Sequence, residues 1–276
     1  MKIAIIGCGY VGSAVAGLWH QAGHQVTVTT TTPEKVTKLK GIASEVAVVE
    51  GNDLASLQTV VKNCDVVLLS VGAKKRTIDI YRQAYLETAQ NVVAAIQATP
   101  GVKQLIYTGS YAILGDQNGE LTDETAAVAP ANEYGEILWE TEKVLLSVPE
   151  TDFKTCILRL AGIYGAGREL IRIFKSWAGT TRPGKGDDYS NWIHLDDIVK
   201  AIDFAREKQL QGIYNLTSNE TLQTGEFLGR LFKAHNLPPI TWDSSQVSVR
   251  PYNTKLSNQK LKNAGFELIH PQIIFS

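Results

Sequence analysis

The stretch MKIAIIGCGYVGSAVAGLWHQAGHQVTVTT, residues 1–30, decides the fold. Lys2 to Ile6 is a short isoleucine-rich run, the composition of a strand buried on both faces. Gly7-Cys8-Gly9-Tyr10-Val11-Gly12 then spells G-x-G-x-x-G, a small-residue helix follows from Ser13 and ends near Gly23, and Gln25 to Thr29 reads as a second strand. In that setting each glycine has its own task. Gly7 turns the chain tightly, Gly9 lets the backbone approach a pyrophosphate, and Gly12 lets the helix lie close to the strand. The helix N-terminus offers N–H groups and a positive dipole end to the anion. The unit predicts a dinucleotide site carried on Gly7, Cys8, Gly9, Tyr10, Val11 and Gly12.

Next comes Thr29-Thr30-Thr31-Thr32-Pro33-Glu34-Lys35, with Thr32 placed to cap a helix opening at Pro33. A strand-end acid here would bind the ribose of NAD and repel the extra phosphate of NADP. Positions 29 to 32 hold only hydroxyls, and Lys35 and Lys38 are near, so NADP is favoured, with NAD as the alternative. Glu45 to Val49 is a third strand. Asp53 and Leu54 open a helix running to Asn63, Asp53 as its cap or as a cofactor contact. Asp65 to Val71 is a fourth strand, and Ser70, Val71 and Gly72 form a small-residue edge that a cofactor can pass. Lys74-Lys75-Arg76 sets positive charge at the carboxyl end of the sheet, where Lys74 and Arg76 are candidates for an anionic substrate group, with the cofactor or simply a solvated face as alternatives. Ile78 to Ala98 is a long amphipathic helix stopped by Pro100-Gly101, and Lys103 to Thr108 is the fifth strand. This alternation predicts an α/β chain with a Rossmann-type, doubly wound parallel sheet.

The formal net charge of -1 on 276 residues gives no global attraction to nucleic acid or acidic membranes, so a small-molecule substrate is expected. Cys8, Cys64 and Cys156 are isolated, odd in number and set in apolar or glycine-rich segments, which suits reduced core thiols and a cytoplasmic protein. No apolar run reaches membrane-spanning length. His20 and His24 have helical spacing but Gly23 lies between them, and no metal site is expected.

From Leu105 the chain reads LIYTGSYAILGD, LTDETAAVAP, EYGEILWETE, ILRLAGIYGAG, NWIHLDDIVKAI and GIYNLTSNE. In order and spacing it resembles the extended short-chain dehydrogenase/reductases, the NAD-dependent epimerase/dehydratase group, and most closely their compact atypical branch. The resemblance implies that Ser110 and Tyr134 are catalytic: Ser110 hydrogen-bonds the substrate oxygen and Tyr134 moves its proton while the nicotinamide handles a hydride. It also implies that Thr108, Leu160, Ala161 and Gly162 line the cofactor and that Tyr111 and Arg168 face the substrate. The family's lysine four residues after the tyrosine is here Leu138. On a helix, Tyr134 shares its face with Leu138, Thr141 and Leu145, so a substitute cation must come from elsewhere, with Lys74, Lys75, Arg76 and Arg159 as candidates. In the segment around His194, Asp196 reads as a helix cap. The implied division is a nucleotide domain of 1–162 plus 191–216 and a small substrate lobe of 163–190 plus 217–276. The expected function is reduction or epimerisation of a small, sugar-like or anionic carbonyl or hydroxyl compound by a monomer or homodimer. The alternative, motivated by Leu138, is a non-catalytic dinucleotide-binding or redox-sensing protein.

Overall fold

A computed structural model describes residues 1–149 and 153–275. Five strands come first in the chain: β1 (Lys2–Ile6), β2 (Gln25–Thr30), β3 (Glu45–Val48), β4 (Val66–Leu69) and β5 (Gln104–Ser110). They lie in the order β3-β2-β1-β4-β5, and Lys154–Leu160 and then Gly212–Leu216 complete a seven-stranded sheet. β1 pairs in parallel with both β2 and β4, as do β2 with β3 and β4 with β5. From β1 the chain winds outward in both directions, so the strand order reverses between β1 and β4. In open α/β sheets, ligands bind outside the carboxyl ends at such a reversal. The Ile3–Ile6 run and all of β4 are buried, as continuous apolar strands covered on both faces must be.

The helices of this half are α1 (Tyr10–Gln21), α2 (Val36–Leu39), α3 (Leu54–Val61), α4 (Ile78–Arg82), α5 (Thr88–Ala98) and α6 (Glu133–Leu146). The expected helix of 78–98 is continuous, but Gln83–Glu87 joins α4 to α5 in π geometry, and the Thr88 hydroxyl donates to the Gln83 carbonyl. Leu57, Val61, Val92 and Ile96 pack with Val67, Leu69, Leu105 and Tyr107 in one core. Trp19, fully buried, donates its indole N–H to Asp203 at 2.7 Å.

Contacts divide the chain into two compact units. The first is Met1–Ser110, Glu133–Arg159 and Val199–Ile213, and the second is Tyr111–Asn132, Leu160–Ile198 and Tyr214–Ser276. Residues 111–132 thus belong with the second unit, unlike in the sequence division. The cause is a non-local ladder: Asp116–Thr122 pairs in parallel with Asn253–Leu256, and the hydroxyls of Thr122 and Thr254 hydrogen-bond inside it. The second unit has its own core around Phe227, Leu228, Leu231 and Phe232, with Trp192 stacked on Phe227 at 5.2 Å. The apolar tail is part of that core, since Ile273 is buried in it. No helix among the described residues is long and apolar enough to cross a membrane.

Candidate active site

The three glycines of the first turn divide their work physically. Gly7 has φ +91°, and a Cβ there would lie 2.6 Å from the Ser70 carbonyl oxygen; at Gly12 it would lie 2.4 Å from the Gly7 carbonyl oxygen. Both are steric necessities of the backbone itself. Gly9 differs, because a Cβ there would meet nothing within 4 Å. That open space sits where α1 begins, with no side-chain cap and no acid in its first turn, so the residues present fit the pyrophosphate of a dinucleotide. Tyr10 is exposed beside the turn, and Val11 is buried beneath it. Burial pushes the Cys8 thiol up, and its contact with Ser13 and the charge of Lys35 only partly oppose this.

The threonine run splits in two. Thr29 and Thr30 are buried, and their hydroxyls serve the backbone: Thr29 accepts the Gly7 N–H at 3.0 Å and Thr30 accepts the Thr32 N–H at 3.1 Å. Thr31 and Thr32 are half-buried. Thr32 occupies the cap position before the short 3₁₀ turn Pro33–Lys35, but its side chain makes no capping bond there. Lys74, read in the sequence as a substrate contact, reaches the Thr31 carbonyl at 3.4 Å, so it stands at the end of β2. Asp53 is a helix cap: its carboxylate accepts the Ser56 N–H at 3.0 Å and the Ser56 hydroxyl at 2.6 Å, and these bonds hold it below the usual carboxylate range. Leu54 and Val71 pack against the core. Thr108 donates to Ser70 at 3.2 Å and so ties the ends of β5 and β4 together.

Ser110 ends β5, and Tyr134 lies in the first turn of α6. The Tyr134 hydroxyl donates to the Arg76 carbonyl at 2.9 Å, and the Arg76 guanidinium lies over the Tyr134 ring at 5.0 Å. Tyr81 meets the same ring edge-on at 4.9 Å. Leu138 is buried and supplies no charge. Of the four candidate cations, Arg159 is excluded by its own burial. It is 1% exposed and gives Nε and Nη2 to the carboxylate of Glu142 on α6, the closest contact being 2.8 Å. With Lys74 at Thr31, Arg76 is the one of the four that meets Tyr134 among the described residues.

In the second unit Leu160 and Ala161 are buried, and a Cβ on Gly162 would lie 2.8 Å from the Trp192 ring, so that glycine exists to let the indole pack. Arg168 spends its Nε on the Ile163 carbonyl at 3.0 Å and closes a turn with Gly165, which limits it as an anion contact. Tyr111 is buried, which pushes its phenol up against the pull of Arg250 and of hydrogen bonds with Asn191 and Arg250. Its ring lies 5.8 Å from that of Tyr252. Arg250 donates to Thr224 Oγ1 at 2.6 Å and to the Tyr189 carbonyl at 3.1 Å, and has no carboxylate within ion-pair distance among the described residues. The sequence reading gave Arg250 and Tyr252 no role; the available signal was a cation two residues from an aromatic in a polar tail. Asp196 is not the cap of the helix Leu195–Glu207. That role falls to His194, whose Nδ1 accepts the Asp196 N–H at 3.2 Å. Asp197 is fully buried, and its carboxylate accepts the N–H groups of Ile269 and His270.

Comparison with known proteins agrees with this architecture. The sequence model of the NAD dependent epimerase/dehydratase family matches residues 3–217. Protein YeeZ of Escherichia coli strain K12 is 31% identical over 253 residues, spanning 88% of this chain and 87% of that protein. MoeE5, solved in complex with UDP-glucose and NAD, superposes with a TM-score of 0.81 at 17% identity, covering 98% of this chain and 94% of its own. UDP-glucuronic acid 4-epimerase from Bacillus cereus, solved with UDP-glucuronic acid and NAD, gives a TM-score of 0.79 at 17% identity, covering 100% and 95%. At those identities the likeness to the solved structures is one of fold.

Proposed function

The chain belongs to the NAD dependent epimerase/dehydratase family, and from that premise we propose that it is an NADP-preferring oxidoreductase or epimerase acting on a small carbonyl or hydroxyl compound, sugar-like or anionic. The observation that carries the proposal is the Arg76 guanidinium over the Tyr134 ring at 5.0 Å. Bound nicotinamide supplies hydride transfer at the carbon bearing the reacting oxygen. The chain's own residues manage the proton. Tyr134 gives it to the oxygen or takes it away, and Ser110 orients that oxygen by hydrogen bonding. A positive charge beside the phenol stabilises the negative charge that develops on its oxygen as the proton leaves. Arg76 therefore does electrostatically what a lysine at position 138 would do, from a loop rather than from the same helix. The Tyr134 hydroxyl must exchange the Arg76 carbonyl for substrate before it acts.

The preference for NADP rests on charge. No acid occupies positions 29 to 32, Lys74 stands against Thr31, and Lys35 is close enough to act on Cys8. Lys74 thus moves from the substrate set to the cofactor set. Anion recognition in the second unit falls to Arg250, which lacks a carboxylate partner among the described residues, ahead of Arg168. A panel of carbonyl substrates, read by NADPH consumption, tests the assignment. Tyr134→Phe is expected to lose roughly 100- to 10,000-fold in turnover with NADPH binding retained, and Arg76→Ala is expected to lose turnover without a drop in thermal stability. Unchanged turnover in Tyr134→Phe would overturn the role.

The second reading, a non-catalytic dinucleotide binder, is favoured by the occupied Tyr134 hydroxyl and by Leu138. It predicts NADPH binding with no turnover on the panel, and turnover gained in Leu138→Lys. Under the first reading that substitution buries an unpaired cation, lowers stability and raises nothing.

A further inference from the structure

His194, Asp196 and His270 lie in the second unit and take no part in the reaction proposed above. We propose that they form a binding site for one divalent transition-metal ion of the zinc type, tying the start of the helix Leu195–Glu207 to the C-terminal tail.

The donors converge on one carboxylate oxygen. Asp196 Oδ2 is 3.4 Å from His194 Nδ1 and 3.2 Å from His270 Nε2, and all three donor atoms lie within 4.8 Å of one another. A tetrahedral ion bound at about 2.0–2.2 Å separates its ligands by roughly 3.3–3.6 Å, the tetrahedron's edge, so the 3.4 Å edge has the required length and the 3.2 Å edge is short of it by about 0.1 Å. The third closes by rotation of the His270 ring, whose side chain is 23% exposed and which lies 4.2 Å from the His194 ring. Two imidazoles and one carboxylate select zinc, cobalt, nickel or copper over magnesium or calcium, which prefer an all-oxygen shell. Three protein ligands leave one position for water, and the Asp196 side chain, 58% exposed, leaves the cluster open to entry.

The groups behind the ligands are in place. The buried Asp197 carboxylate holds the N–H groups of Ile269 and His270, which fixes the backbone that carries His270. Tyr164 packs edge-on against the His194 ring at 5.1 Å. The Asp196 N–H donates to His194 Nδ1 at 3.2 Å, so that nitrogen carries its lone pair rather than a proton, and an ion bound there displaces this capping bond. A plain hydrogen-bonded anchor for the tail would need only His270 and Asp196. His194 Nδ1 is a second nitrogen beside the same oxygen, at 3.4 Å, a convergence that neither the anchor nor the capping bond it accepts from the Asp196 N–H requires.

The test is calorimetric titration of metal-free, tag-free, full-length protein with zinc chloride, beside His270→Gln and Asp196→Asn. His270→Gln keeps the backbone bonds to Asp197, and circular dichroism confirms its fold. The expected result is one ion per chain, with affinity reduced roughly 100-fold or more in each variant, since even groups behind a ligand are worth 10–100-fold. Zinc should raise the thermal midpoint of the wild type and leave that of His270→Gln unchanged. Absence of stoichiometric binding by the wild type, or affinities within a few-fold of wild type in both variants, would overturn the proposal.

Discussion

Replacing Glu142 by alanine probes how α6, the helix that carries Tyr134, is held to the sheet. Glu142 and Arg159 have side chains 1% and 2% exposed, and three N–H to carboxylate contacts of 2.8 to 3.2 Å join them. Burial pushes the Glu142 carboxyl up, and Arg159 pulls it back. Arg159 Nη1 already has no partner among the described residues, so deleting the carboxylate leaves the whole guanidinium buried and uncompensated. Breaking a buried pair from one side costs about 3–5 kcal/mol. At about 2–4 °C per kcal/mol for 150–250 residues, the midpoint should fall by roughly 6–20 °C. Chemical denaturation and thermal melting followed by circular dichroism measure both quantities. The double variant Glu142→Ala/Arg159→Met removes both charges and should recover most of the loss, because apolar replacement of a buried pair is often neutral or better. A loss below about 1 kcal/mol in the single variant, or no recovery in the double, would refute the reasoning.

Other expectations follow from single distances. Gly9→Val should abolish dinucleotide binding with little change in thermal midpoint, whereas Gly12→Ala should destabilise the fold, because only the second Cβ collides with backbone. Native protein at pH 8 should resist a thiol reagent such as 5,5′-dithiobis(2-nitrobenzoate). The three cysteines are buried and form no disulfide, burial pushes Cys8 up and Cys64 to about 11, and only the thiolate attacks. Labelling should rise as pH approaches 11 or on unfolding. Rapid native labelling of Cys8 would instead support a redox-sensing role.

Much of this was written in local sequence. The strand, glycine turn, helix and second strand of residues 1–30 could be read because the signals are contiguous. What local sequence does not carry is non-local. Nothing near 116–122 says that it pairs with 253–256, and Lys74 meets Thr31 across the fold although 43 residues separate them. The Arg159–Glu142 pair was partly visible: Glu142 follows Leu138 by one helical turn on the face that also carries Thr141 and Leu145, and a lone acid on a buried face demands a cation. Arg159, set in the apolar run ILRL, was that cation. Arg76 was one of the four cations named for Tyr134, but which of them meets the ring is set by a contact across 58 residues that local sequence does not encode.

The account stands most directly on one titration, the binding of NADPH and of NADH to the wild type and to Lys74→Ala, followed by nicotinamide fluorescence. It predicts saturable binding of one NADPH per chain, tighter than NADH, with the difference reduced when Lys74 is removed. Equal, weak binding of both dinucleotides by the wild type would contradict it.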